Sequence, residues 1–301
     1  MKRLLLIILL LCSFLGEAQY ANPIKEPVYF SIEEALTADK NATQLNMRDQ
    51  NHFFVPKEIG ELQNLRFLNL MRNHLEQWDS AVFTLKELEV LNVQLNAFKY
   101  VPKGIGNLDK LIRLDLSANN ITALPDEIGR LNKLRFLHLS LNSVTSLPNA
   151  IGNCKSLEVL QLDNNQLSDL PQSITKLKRL KTLQLGYNQF NEFDRQWLAL
   201  KGLQELHMDN NQLKEFPEEI GKLKKLKLIM LNNNRLTKLP DAICNLPDLE
   251  FLSIANNSIS KLPEDISKMV NLKTLLLVGN PLDADEVTRI KAALPQCKVY
   301  F

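Results

Sequence analysis

Few side chains in this 301-residue chain have the type and spacing to do chemistry. A zinc ion needs three or four nitrogen, sulfur or oxygen donors around one point, and calcium needs six or more oxygens. The donors that stand out are His52, His74, His138 and His207, the carboxylates Asp163 and Asp209, and the cysteines Cys12, Cys154, Cys244 and Cys297. No HExxH helix, GxSxG turn or phosphate loop accompanies them. Which of these donors can meet depends on the elements that carry them.

Those elements obey a period. An L-x-L step opens at Leu45, Leu68, Leu91, Leu114, Leu137, Leu160, Leu183, Leu206, Ile229, Leu252 and Leu275, each 23 residues after the one before. In Leu114-Asp115-Leu116-Ser117 apolar and exposed residues alternate, the pattern of a short strand with one buried face. Five positions after the opener stands asparagine: Asn73, Asn96, Asn119, Asn142, Asn165, Asn188, Asn211, Asn234, Asn257 and Asn280, with Gln50 in the first copy. An amide there can donate to and accept from backbone groups that a turn leaves unpaired, so these residues read as a structural ladder. The second half of each copy carries Leu-Pro and Ile-Gly, as in Leu124-Pro125 and Ile128-Gly129. Proline cannot donate to a ladder, so extended segments and short helical turns are expected there, not a second sheet. Trp78-Asp79 and Phe193-Asp194 replace this phrase in repeats two and seven and predict slightly longer helices.

With neighbouring strands about 4.8 Å apart, His138 and His207 stand roughly 14 Å from each other, too far to share one zinc ion. Asp163 and Asp209, two repeats apart in one column, are likewise expected to be too far apart for a single calcium. Cys154 and Cys244 are separated by roughly 19 Å, beyond the Cα separation of about 7 Å that a disulfide spans. Cys154 occupies a leucine column and reads as a small buried apolar residue. No catalytic, cofactor-binding or metal residues are assigned within one chain; a metal shared between two molecules stays open.

Eleven copies without an insertion or deletion match L-x-x-L-x-L-x-x-N-x-L. Over residues 42–301 the chain resembles leucine-rich-repeat proteins. The resemblance implies an α/β fold: a curved horseshoe solenoid with a parallel sheet on its concave face, short helices and extended segments on its convex face, and helical caps. No repeat of such a fold buries its own apolar stripe, so stability comes from stacking and the two ends need covering.

The ends differ from the repeats. Residues 1–18 combine Lys2-Arg3, the apolar run LLLIILLLCSFLG and Gly16-Glu17-Ala18, the anatomy of a signal peptide cleaved before Gln19. The alternative is a lipoprotein anchored at Cys12, although Leu11 stands where such signals carry Gly, Ala or Ser. Residues 19–41 form an N-terminal capping segment in which Ser31-Ile32-Glu33-Glu34 fits a capping box opening a short helix to about Asp39. Residues 42–282 hold the repeats. Residues 283–301 form a C-terminal cap, with an amphipathic helix from Asp283 to Leu294 that places Val287, Ile290 and Leu294 on one side before LPQCKVYF closes the rod. The 23-residue length, the LPxxIGxL phrasing, the leader and this tail resemble exported leucine-rich-repeat proteins of spirochaetes, considered surface or secreted binders of host molecules.

With a net charge of only +2 and acidic and basic residues interspersed, no basic stripe for nucleic acid is present. The informative positions are the strand residues that the repeat leaves free. Repeats two to five offer Phe67, Met71, Val90, Leu95, Phe136 and Leu141 toward solvent, with Arg66, Arg72, Arg113 and Arg135 nearby, and His138 and Tyr187 extend the same columns. Apolar surface flanked by arginine marks an interaction site, against the alternative that each side chain merely covers its neighbour across the sheet. Repeats six to nine read as polar, with Gln161, Asp163, Gln184 and Asn232. The expectation is a non-enzymatic protein-binding module, secreted or on the outer cell surface, using Phe67, Met71, Arg72, Val90, Leu95, Arg113, Phe136, His138, Leu141 and Tyr187. The competing reading is an intracellular or periplasmic scaffold.

Overall fold

A three-residue strand cannot stand alone; it persists where neighbours on both sides take up its backbone groups. The computed structural model, which describes residues 21–22, 25–38 and 41–301, shows that arrangement throughout. Strands β1 (Gln44–Asn46), β2 (Phe67–Asn69), β3 (Val90–Asn92), β4 (Arg113–Asp115), β5 (Phe136–His138) and β6 (Val159–Gln161) recur at the sequence period. They continue as β7 (Thr182–Gln184), β8 (Glu205–His207), β9 (Leu228–Met230), β10 (Phe251–Ser253), β11 (Thr274–Leu276) and β12 (Lys298–Tyr300). All pair in parallel, in sequence order, as one open sheet of twelve strands. Register follows the repeat: Leu68 faces Leu91, which faces Leu114. The opener leucines and their partners two residues on are fully buried, so the core is one apolar column running the length of the stack.

The other side of each repeat is a five-residue 3-10 turn such as Asp126–Arg130, entered through Pro125 at φ −75°. The longer helices expected in repeats two and seven are absent. Ser80–Thr84 and Arg195–Ala199 are 3-10 turns of the same five residues. The stacking period leaves no room for another turn, and aspartate does the work of proline by capping: Asp79 accepts from the Ala81 N–H at 2.8 Å and Asp194 from Gln196 at 2.8 Å. The bulky residues instead form aromatic layers, with Trp78 stacked on Phe98 at 4.3 Å and Phe193 edge-on to Trp197 at 5.2 Å.

The asparagine column ties each repeat to the one before. The Asn119 amide donates to the carbonyls of Val93 and Leu116, both at 3.0 Å, and of Ser117 at 3.2 Å, while its oxygen accepts from Phe98 N–H at 3.1 Å. From Asn73 to Asn280 the same geometry repeats, an acceptor for an N–H 21 residues back and a donor to a carbonyl 26 residues back. In the first repeat Gln50 reaches instead to the Phe30 carbonyl at 2.9 Å.

Both ends of the repeat array are covered. Tyr29 bridges β1, donating to the Gln44 carbonyl and accepting from Asn46 N–H. Helix α1 (Ile32–Ala38) follows, with Ser31 accepting from Glu34 N–H at 3.1 Å; the return bond of the expected capping box goes from Phe30 N–H to Glu34 at 2.8 Å. Helix α2 (Ala284–Ala293), capped by Asp283, buries Ile290 and the Glu286 carboxylate, which accepts from Leu262 N–H and pairs with Arg289 at 2.7 Å. The tail that follows adds β12 as a further strand, which the leucine spacing alone did not reveal.

Replacing Asn119 with alanine strands one N–H and several carbonyls in a dry interior, so the expected loss is about 2–3 kcal/mol in denaturant unfolding. A comparable substitution at the exposed Gln50 should change stability by much less.

Candidate protein-binding surface

In-register parallel strands place equivalent side chains side by side, about 4.8 Å apart, so residues on the concave face touch before they touch solvent. This corrects the expected exposure of several of them. Phe67 is 6% exposed, Arg113 1% and His138 7%. Met71, Val90 and Phe136 are half-buried. The Arg113 guanidinium lies over the Phe136 ring at 4.4 Å and Arg135 approaches it at 5.2 Å. His138 Nδ1 is 3.3 Å from Asp115. Burial alone raises the pKa of Asp115, but hydrogen bonds from His138 and Ser117 and the charge of His138 outweigh it and hold the carboxyl below its usual range. The middle of the concave face is therefore a cross-strand polar network.

The remaining candidates, Arg72, Leu95, Leu141 and Tyr187, are exposed. They do not lie on strands. Each sits four residues after its opener with φ between 54° and 59°, in a column that continues through Ala118, Asn164, Asn210, Asn233, Asn256 and Gly279. The left-handed turn is imposed by stacking: Leu95 N–H donates to the Ser117 carbonyl, Leu141 to Asp163 and Tyr187 to Asp209 of the next repeat. Asparagine and glycine tolerate this conformation, whereas leucine, tyrosine and arginine adopt it at a cost of roughly 1–2 kcal/mol each. The later repeats mostly use the tolerant residues.

Two features escaped the columns as read. Leu228, Met230, Phe251 and Leu276 form a separate apolar cluster on the concave face of β9 to β11, beside the exposed Val278. Repeat nine is thus not polar: its asparagines lie beyond the strand, while Leu228 and Met230 on the strand itself are apolar. Asp163 and Asp209 also come together, because Gly186 stands between them without a side chain. Each has an oxygen 3.1 Å from where a Gly186 Cβ would be. Asp163 accepts from Gly186 N–H at 2.9 Å and from Ser140 at 3.3 Å, yet burial and the neighbouring Asp209 push its pKa up to about 6. Burial also raises Asp209. The His207 Nε2 atom is buried without a hydrogen-bond partner, and burial lowers its pKa to about 4. Among the described residues no group of three or more potential metal ligands gathers. The thiols of Cys154, Cys244 and Cys297 are free, and Cys154, held at 3.2 Å from the Ile128 carbonyl, is pushed up to about 12 by burial.

The sequence profile of the leucine-rich repeat region matches residues 114–211 and 195–292. A leucine-rich-repeat protein of Leptospira interrogans is 33% identical, with 87% of this chain covering 84% of that one at a TM-score of 0.56. This chain belongs to the leucine-rich-repeat family. An internalin, InlF of Listeria monocytogenes, shares the fold at 22% identity and a TM-score of 0.79, over 87% of this chain and 74% of its own. The ectodomain of an Arabidopsis thaliana membrane receptor kinase, solved in complex with Casparian strip integrity factor 2, matches at 27% identity and a TM-score of 0.72. That match covers 91% of this chain but 34% of the receptor. No curated protein matches significantly. Leucine-rich-repeat solenoids are protein-binding modules, and members of the family are typically non-enzymatic interaction scaffolds. Among the described residues no helix is long and apolar enough to cross a membrane. The expected signal peptide and the alternative anchor at Cys12 lie outside the described residues.

The burial of Asp163 and His207 gives this leucine-rich-repeat protein a signed pH response. A carboxyl that takes its proton more readily folded, near 6, than unfolded, near 3.8, stabilises the fold as the pH falls through that interval. His207 acts oppositely, since the unfolded chain gains its proton near 6.5 and the folded chain only near 4. Asp163→Asn removes the first effect alone. It should stabilise the protein at pH 7.5 by about 2 kcal/mol, and thermal melts should show that gain vanishing toward pH 4.

Proposed function

We propose that this protein is an exported, non-enzymatic binder that recognises a protein partner through its concave face, with a host molecule as the partner within reach of a secreted or surface-displayed chain. The observation that carries this reading is the exposed row of Arg72, Leu95, Leu141 and Tyr187, side chains held outward in a backbone conformation that disfavours them. Half-buried Met71, Val90 and Phe136, and the buried Phe67, Arg113 and His138, form the supporting floor beneath that row. The plant receptor ectodomain in complex with its factor is a precedent for a partner on this fold. Export rests on the sequence of residues 1–18, with lipidation at Cys12 as the alternative anchor.

Mass spectrometry of the native protein should find Gln19 first. A lipid-modified Cys12 would place it on a membrane instead, and an unprocessed chain in the cytosol would favour the scaffold. For recognition, protein captured from host-cell surfaces provides the partner against which affinity and melting temperature are measured together. Leu95→Ala and Leu141→Ala should weaken binding at least tenfold with little change in melting temperature, because little packing is lost. Phe67→Ala and Arg113→Ala should lower the melting temperature by several degrees, as core truncations do. Lys103→Ala and Asp126→Ala, exposed on the convex side, should do neither. Equal affinity in the wild type and both leucine variants would remove the concave face from consideration.

A further inference from the structure

Resting on the concave-face reading, we infer that the row from Arg72 to Tyr187 is a docking ridge for an amphipathic α-helix of the partner, laid along the solenoid across its strands. Spacing selects the helix. Leu95, Leu141 and Tyr187 stand two repeats apart from one another, separated by Ala118 and Asn164. Two strand spacings are roughly 9.6 Å, and seven residues of α-helix advance about 10.5 Å, so side chains at i, i+7 and i+14 meet the three knobs in turn. Arg72, one repeat beyond Leu95, falls one further helical turn along. An extended chain repeats its same-face side chains at about 6.7 Å; three such steps, about 20 Å, span Leu95 to Tyr187, but no same-face side chain then falls opposite Leu141, roughly 9.6 Å along.

Charge sets the direction. At one end Arg72, 62% exposed in its side chain, forms an exposed ion pair with Asp49 at 3.7 Å, and Arg48 precedes that aspartate in the chain, so this end keeps an excess of positive charge. At the other end Tyr187 is flanked by the carboxylates of Asp163 and Asp209, which converge over Gly186. A helix N-terminus carries partial positive charge and a C-terminus partial negative charge. The bound helix therefore starts near Asp163 and Asp209 and ends near Arg72, with basic residues in its first turn and acidic ones in its last. The backbone explains why the knobs are identifiable. The same left-handed position holds Asn164, Asn210, Asn233, Asn256 and Gly279 elsewhere, so leucine and tyrosine at Leu95, Leu141 and Tyr187 serve something other than the turn.

The test uses the purified full-length chain and a synthetic 19-residue stapled helix with leucine at i, i+7 and i+14, lysine near its start and glutamate near its end. Fluorescence anisotropy should give micromolar binding, at least tenfold weaker for a peptide of the same composition broken by a central proline and for one with the charges exchanged end to end. Leu141→Asn and Tyr187→Asn should each weaken the helix at least tenfold while raising the melting temperature by about 2–4 °C, since asparagine relieves the left-handed turn. Equal binding of the intact and proline-broken peptides would overturn the helix, as would a fall in melting temperature on either substitution. If the captured partner still loses affinity on Leu95→Ala while the stapled helix shows no preference, the helical ligand is wrong and the concave-face reading stands; if neither responds, both fail.

Discussion

An asparagine side chain has one acceptor and two donors, and in this solenoid each ladder asparagine uses all of them on backbone. The Asn119 amide closes the turn of its own repeat at Leu116 and Ser117, reaches back to Val93, and accepts from Phe98. Buried peptide groups left unpaired would cost far more than such a side chain loses on being fixed. Because the partner atoms are backbone of the preceding repeat, a change in repeat length would move every one of them. The fixed period depends on this set of hydrogen bonds, and the strand register and the left-handed residue that precedes each asparagine, held as far as Asn256 by its own N–H on the next repeat, keep step with it.

That constraint divides the concave face into two kinds of position. Strand residues stand in register with their neighbours, and a large or charged side chain there meets another before it meets water. Arg113 lies against Phe136, and Asp115 meets His138, so residues that look like anchors in a list are neighbours in a packed floor. Residues at the left-handed position, at the ends of the strands, project further, with lateral contacts only at some repeats, as between Arg72 and Asp49 or Asn256 and Asn233. Exposure along this face is therefore decided by the offset from the opener leucine more than by hydrophobicity.

The polar half follows the same geometry with a different outcome. Gly186 removes the side chain that would have separated Asp163 from Asp209, and two partly buried carboxylates then face one another. Burial raises both, and at Asp163 the proximity of Asp209 adds to it. Farther along, Leu228, Met230, Phe251 and Leu276 close over one another. The arc carries a projecting row, an acidic notch and an apolar cluster in succession. The ends are sealed differently, by the Tyr29 bridge with α1 and by α2 with β12, so that no inner strand of the repeat array is left with an open edge.

Much of this architecture was legible because local pattern and long-range contact coincide in a repeat. A residue 23 positions away is also the neighbour in space, so the strands, the parallel order, the asparagine column, the proline-led turns and the cap helices could be read from spacing. The sequence by itself also located the strand and turn columns whose residue type the repeat leaves free. Only the tertiary structure decided what depended on packing across repeats. It kept the turns of repeats two and seven at five residues, because stacking leaves no room for more. It buried Phe67, Arg113 and His138 while leaving Leu95, Leu141 and Tyr187 in the open. It brought Asp163 and Asp209 together, since counting strands gives the spacing of backbones but not the reach of side chains across a glycine.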